Sequence, residues 1–291
     1  MANLGLGTVQ WGMRYGIANT QGIPSEADVG MILKQATAKG ISMLDTAPAY
    51  GSAENVLGQC GVDRFNVVTK TPVFKTTVIT AEQAALLDKT FKQSLARLEC
   101  EHLYGLLIHH VDDLFIPGGE RLIEVMLRLK ADRLVEKIGA SIYDSTQIDM
   151  LLNRYTIDLV QLPINVLDQR LIYDGRLQDL KAQSIEIHAR SIFLQGLLVM
   201  EPDNLNPYFD PIKPLLKRFH QAATNQGMTC IHAAIVFVRD VPEIDTLILG
   251  VNDFSQLEEC MAFYRNSANF NASELACNDP SFVNPALWRL R

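Results

Sequence analysis

The chain has 291 residues, 48% of them hydrophobic, and a formal net charge of -7. That is ordinary globular composition, long enough to bury one large α/β core or two smaller ones. An acidic balance without a Lys/Arg stripe argues against nucleic acid as the main partner, and no stretch approaches the roughly 18 consecutive apolar residues of a membrane span.

The start, Met1-Ala2-Asn3, has neither the basic residues nor the apolar segment of a signal peptide. Five scattered cysteines (Cys60, Cys100, Cys230, Cys260, Cys277), with no C-x-x-C, read as reduced thiols of a cytoplasmic protein.

Short β-type runs alternate with helical patterns along the chain. Leu4 to Trp11 predicts a first strand, and Glu26 to Ala38 a helix with Val29, Ile32, Leu33 and Ala36 on one face, ended by Gly40. Ile41 to Ala47 is a second strand, followed by a short helix near Ala53 to Cys60 and a third strand at Phe65 to Lys70. A helix from Thr80 to Leu98 opens with a capping-box pattern, Thr80 and Gln83. Leu103 to His109 is a fourth strand, and a Pro-Gly-Gly loop at Pro117 leads to a helix from Glu120 to about Leu134.

The rhythm continues with strands at Lys137 to Tyr143, Leu159 to Asn165, Ile185 to Ile192 and Thr246 to Gly250. Helical patterns fall at Ser145 to Arg154, Leu171 to Ala182, Ile212 to Asn225, Thr229 to Arg239 and Asp253 to Tyr264. Eight strands alternating with helices predict a parallel sheet closed into a (β/α)8 TIM barrel. An open doubly wound sheet is the alternative, but it leaves the strand count unexplained. Nothing divides the chain, so residues 1–291 are expected to form one domain, with an irregular tail from about residue 265.

In such a barrel, reactive groups stand where strands end, on the C-terminal face. The second strand ends at Asp45, with Tyr50 in its loop; the third ends at Lys70, and the fourth at His109 and His110. A carboxylate at the end of a buried strand needs a partner. Lys70 supplies one, and an ammonium beside Tyr50 is expected to lower the phenol's pKa. Such a Tyr can protonate a developing alkoxide, with the imidazole helping to orient the substrate. No side chain supplies a hydride, so a nicotinamide cofactor is implied.

LDTAPAYGSAE, VVTK and LLIHH, in this order, resemble the Asp/Tyr/Lys/His tetrad of the aldo-keto reductase family. LGLGTVQWG, KIGASIY, VQLPIN, SIFLQGLL and LILGVNDFSQLEE also fit that family's motif order. The resemblance spans essentially the whole chain. It implies Tyr50 as general acid/base, Lys70 and Asp45 as the groups that set its pKa, and His109 rather than His110 as the family histidine. It further implies an NAD(P)H-dependent reductase of a small carbonyl compound.

Cofactor contacts carried over by the resemblance are Ser141, Gln161, Arg190, Ser191, Leu194, Gln195, Gly196, Gly250, Asn252, Gln256 and Glu259. Departures accompany them. Ser141-Ile142 replaces Ser-Asn, and Arg190 stands where an aromatic residue stacks on the nicotinamide. Gly250 and Gln256 stand where many members grip the 2′-phosphate with Lys and Arg, and Cys260 replaces an Asn. A backbone nest at Gly250 to Asp253, helped by Asn252, is expected to hold a phosphate instead. NADP(H) is placed ahead of NAD(H).

The loops at 111–119 and 197–210 and the tail, with Phe115, Tyr208, Phe270 and Phe282, are expected to choose the substrate. Adjacent His109 and His110 do not make a metal site, since neighbouring strand residues face opposite ways and no third ligand has zinc-like spacing. Two rivals stay open: a non-catalytic nicotinamide-nucleotide-binding auxiliary protein of the same fold, and a barrel lyase or isomerase using Lys70 as a Schiff base.

Overall fold

Eight short parallel strands pair in chain order and close on themselves into a barrel wrapped by helices. They are β1 (Asn3–Gly7), β2 (Met43–Asp45), β3 (Asn66–Lys70), β4 (Leu103–Ile108), β5 (Val135–Ser141), β6 (Leu159–Pro163), β7 (Glu186–Arg190) and β8 (Thr246–Gly250). This computed structural model describes residues 2–290; Met1 and Arg291, the two ends of the expected single domain, lie outside the described residues. β1 closes the barrel against β8 in the register Asn3↔Thr246 to Gly7↔Gly250, while Gly7 also pairs with Asp45 of β2.

The period-2 alternation of a strand explains the site. Met43, Val68, Leu107, Leu159 and Ile248 form an apolar cluster inside the barrel. Two residues further along each chain stand Asp45, Lys70, His109, Gln161 and Gly250. The packing layer and the reactive layer are therefore consecutive turns of the same inward-facing pattern. The much larger apolar cluster, between strands and helices, is formed by the other strand face and one stripe of each helix.

Local chemistry sets the helices. Thr80 caps Ala81–Leu98 in the expected capping box with Gln83. Asp253 caps Phe254–Arg265, accepting from Gln256 N at 2.8 Å.

Several expected elements differ in their bounds. β1 stops at Gly7, because Thr8 N turns to donate to Asp45 O at 3.0 Å and Val9–Gly12 forms one helical turn. Trp11, on that turn, is wholly buried and donates Nε1 to Val251 O at 2.8 Å, so the apolar run continued through a turn rather than a strand. The helix expected over 171–182 breaks at Gly175 (φ 82°) into Arg170–Tyr173 and Arg176–Ala182. The helix expected to reach Leu134 ends at Ala131, before Arg133 at φ 60°, and β5 begins earlier, at Val135.

Candidate active site

Asp45 and Lys70 end neighbouring strands and are almost wholly buried. Lys70 Nζ donates to Asp45 Oδ1 at 2.6 Å and to Thr46 O at 3.0 Å. Gln161 Nε2, from the far side of the barrel, donates to the same Oδ1 at 2.7 Å. Its own Oε1 is buried without a partner. Burial pulls the Lys70 ammonium below its usual range, against the upward pull of Asp45.

Tyr50 sits over this pair, with Lys70 Nζ 4.9 Å from its ring centroid. Its loop is held by a close approach of two glycines. A Cβ on Gly12 would lie 1.9 Å from Tyr50 O, and one on Gly51 (φ 60°) 2.2 Å from Gly12 O. The helix Ala53–Cys60 that follows is anchored by Glu54, a buried carboxylate accepting from Thr69 Oγ1 at 2.7 Å, Ser94 Oγ at 3.1 Å and Arg97 Nε at 2.8 Å. Thr69 adjoins Lys70, so one buried acid couples the tyrosine loop to the lysine strand. The sequence reading missed Glu54; a carboxylate on the apolar side of a short helix was the signal.

The expected lowering of the Tyr50 pKa is reversed. Burial, and then the charge of Asp45, push the hydroxyl well above its ordinary value of 10.0. Lys70 spends its charge on Asp45 and does not offset the burial and the carboxylate. Tyr50 is therefore a protonated acid at neutral pH. His109 meets it edge-on, ring centroids 6.0 Å apart. Burial, then the Lys70 charge, lower the imidazole pKa to about 4, so it is neutral, with Nδ1 buried and unpartnered. His110 points away, half-exposed beside Asp112 and Asp113.

A cleft of about 560 Å³ runs from these residues across the barrel mouth to Glu259, within the range of small-molecule sites. Ser141, Arg190, Ser191, Gln195, Gly196, Gly250, Asn252 and Gln256 line it. Leu194 does not: its side chain is fully buried, and only its backbone belongs to the turn. That turn is unusual, with Ser191 (φ 60°), Leu194 (φ 48°) and Gln195 (φ 54°) in left-handed conformations before Gly196. Such strain collects at ligand-binding turns. The loop after β1 covers it, Ile17 N donating to Gln195 O at 2.9 Å.

The far end is built differently from expectation. Gln10 fills the space over Gly250, where an added Cβ would meet its Oε1 at 2.3 Å. Gln256 folds back to accept from Asn252 N at 2.8 Å, using one nest N–H, while Asn252 Oδ1 stays buried and unpartnered. A dinucleotide fits the cleft on these grounds: buried orphan acceptors at Gln161 and Asn252, and a strained Gly-containing turn between them.

The aromatic residues expected to choose the substrate do not line the cleft. Phe270 is buried in the main core, Phe115 packs against Arg154, and Tyr208 packs on Phe282 and Phe209, which Trp288 also meets as an anchor of the tail. Tyr15, Tyr143 and Phe193 line it instead. Tyr143 and Phe193 follow β5 and β7 closely, and Tyr15 stands in the loop after β1, beyond the Val9–Gly12 turn. His188 is a barrel histidine, Nε2 2.6 Å from Glu186 Oε1. His232, on the helix Cys230–Arg239, is buried and stacked on Phe263.

The closed parallel barrel with this cluster at its C-terminal mouth defines a class, and the chain belongs to it: the aldo/keto reductase family, whose model matches residues 3–277. It is thus an NAD(P)H-dependent oxidoreductase of the aldo-keto reductase type. The aldo-keto reductase YhdN of Bacillus subtilis is 26% identical over 255 residues, 78% of this chain and 75% of that protein. The NADH-specific methylglyoxal reductase of Escherichia coli is 27% identical over 221 residues, 68% and 65% of the two chains. The holo form of the aldo-keto reductase AKR11C1 from Bacillus halodurans superposes with a TM-score of 0.73 at 18% identity, covering 94% and 89% of the two chains. That last likeness is one of fold. No helix among the described residues is long and apolar enough to cross a membrane.

Proposed function

We propose that this chain reduces an aldehyde or ketone to the alcohol, with Tyr50 as proton donor. The observation that carries the reading is the Tyr50 phenol set over the Lys70–Asp45 ion pair and edge-on to His109 at one end of a cleft. A bound nicotinamide cofactor supplies the hydride. Tyr50 gives its proton to the carbonyl oxygen as negative charge develops there, and His109 offers that oxygen a hydrogen bond. Asp45 holds Lys70 beneath the phenol, and Gln161 holds Asp45. Gln161 Oε1 and Ser141 are placed to receive the carboxamide, and the turn at Ser191 to Gly196 to receive the pyrophosphate.

Lys70 is bonded to Asp45 and to Thr46 O, which argues against a free amine for Schiff-base chemistry. Five unpaired cysteines support a cytoplasmic setting.

For the cofactor, the sequence expectation puts NADP(H) first. A second reading, NAD(H), has an observation in its favour. The far end of the cleft carries Glu259, and among the described residues no Lys or Arg lines it. The similarity to a relative named as NADH-specific points the same way.

The test is a rate assay of NADH and NADPH consumption over a panel of small aldehydes, ketones and sugars. Turnover that Tyr50→Phe removes, with cofactor binding retained, supports the reading. Tight cofactor binding with no carbonyl turned over refutes it in favour of an auxiliary binding protein.

A further inference from the structure

Asn165 stands two residues beyond the end of β6, and its side chain is wholly buried. A buried amide needs partners for its oxygen and its nitrogen. Here Oδ1 accepts from Leu167 N at 3.0 Å and from Asp168 N at 2.9 Å, which folds the loop after β6 into a tight turn. Nδ2 reaches out of that loop and donates to Ser191 O at 3.1 Å, 26 positions along the chain. Beside it, Ile164 N donates to Arg190 O at 3.2 Å. Two successive carbonyls at the end of β7 are thus held by two successive residues after β6.

Ser191 O is also the carbonyl that accepts from Leu194 N at 2.9 Å and closes the turn leading to Gly196. Ser191 itself is left-handed (φ 60°), as are Leu194 and Gln195. A residue with a Cβ is strained there and keeps that conformation only where its surroundings hold it. Asn165 holds it at the carbonyl on which the turn closes.

The loop that does so is itself fixed. Buried Asp168 accepts from Arg170 at 2.7 and 2.9 Å. Gln169 Nε2 donates to Val166 O at 2.6 Å and to Ala272 O at 2.7 Å, and Cys277 N donates to Leu167 O at 2.8 Å. The C-terminal segment therefore clamps the bracket from behind.

Resting on the reading above, in which the turn at Ser191 to Gly196 receives the cofactor pyrophosphate, we infer that Asn165 is a positioning residue for cofactor binding. It does not line the cleft. It keeps Ser191 left-handed, so that the turn has its binding shape before the nucleotide arrives.

Fluorescence titration with NADH and with NADPH tests this. Asn165→Ala should weaken the nucleotide that wild type binds by about three- to tenfold, the loss of one hydrogen bond. Its kcat at saturating cofactor and its KM for the carbonyl should stay within about twofold of wild type. In a Ser191→Gly background the same change should cost less than about twofold, because glycine is unstrained when left-handed. That background separates the Ser191 contact from the Oδ1 turn, which the glycine does not touch. A second measurement needs no variant. In wild-type protein, exchange of the Asn165 side-chain amide protons, followed by NMR, should slow at least about tenfold at saturating cofactor, since the coupling is reciprocal.

Unchanged cofactor affinity in Asn165→Ala overturns the inference. So does an equal loss in both Ser191 backgrounds, a fall in kcat as large as the fall in affinity, or an Asn165 exchange rate indifferent to cofactor. Wild-type protein that binds neither nucleotide refutes the cofactor reading itself, and the inference with it.

Discussion

Gln161 Nε2 donates to Asp45 Oδ1 at 2.7 Å, across 116 positions of sequence, and that oxygen is the one holding the Lys70 ammonium. The acid, the base and the amide therefore form a single buried unit. A carboxamide expected to serve a cofactor also fixes the counter-charge beneath the tyrosine, and its free acceptor remains for a ligand.

Breaking this unit from either side should differ from removing it. Asp45→Asn leaves Lys70 buried without its counter-charge, and Lys70→Met leaves Asp45 so. Each should destabilise the fold by about 3–5 kcal/mol, as for other broken buried pairs, while the double variant should recover much of the loss. Urea unfolding of the four proteins measures the coupling. Additive losses in the cycle would show that the pair is not a unit.

Tyr50→Phe removes the proton donor without changing the cleft's shape. Carbonyl reduction should fall by about 10²–10⁴-fold, with cofactor affinity by fluorescence titration nearly unchanged. Because the Tyr50 hydroxyl is held well above 10.0, its acid form persists through neutral pH. The wild-type reduction rate should stay level from pH 6 to about 9 on this account. A decline through pH 7 to 8 would place a different group in the donor's role.

His109 gives a stability test with a definite sign. Its folded-state pKa is lowered to about 4 from 6.5. Between those values the unfolded chain binds a proton that the folded chain does not. Stability is therefore unaffected above pH 6.5, lost as pH falls toward 4, and lost no further below it, by on the order of 3 kcal/mol in total. His109→Gln should flatten that part of the curve relative to wild type, measured by denaturant midpoints across pH 4 to 7.

Gly12→Ala tests the presentation of Tyr50. A methyl there would lie 1.9 Å from Tyr50 O and 2.3 Å from Ala53 N, both backbone atoms, so the tyrosine loop must shift. Overpacking of this kind costs about 1–3 kcal/mol. A shift of about 1 Å in a reacting group costs roughly 10²-fold in rate. Turnover should fall much further than cofactor affinity; equal losses in both would mean that the whole cleft had moved.

At the far end, Gln256→Arg places a cation in the part of the cleft that carries Glu259, and frees the Asn252 N–H that Gln256 now occupies. Affinity for NADPH relative to NADH should rise about tenfold, the yield of one charge-assisted contact. Wild-type protein that already binds NADPH the more tightly would refute the NAD(H) reading.

Much of the barrel was legible along the chain because each strand and helix announces itself within a few residues. Short apolar runs mark β3 and β8, a capping box marks the start of Ala81–Leu98, and Asp45, Lys70 and His109 each follow a short apolar run. These signals are local, and local signals survive in sequence. Where they failed, a turn imitated its neighbour. The apolar run through Trp11 belongs to a helical turn that buries the indole, and Gly175 splits a helix that its apolar spacing would have joined.

The amino-acid sequence by itself determined the order of elements, the closed barrel and the residues at the strand ends, since period and punctuation depend on neighbours only. Tertiary structure decided the rest. It showed that Lys70 spends its charge on Asp45, so that burial raises the Tyr50 pKa instead of a lysine lowering it. It removed Phe115, Tyr208, Phe270 and Phe282 from the cleft and put Tyr15 and Tyr143 there. Each of these depends on Coulomb and packing distances between residues far apart in the chain, and such distances exist only once the barrel has closed.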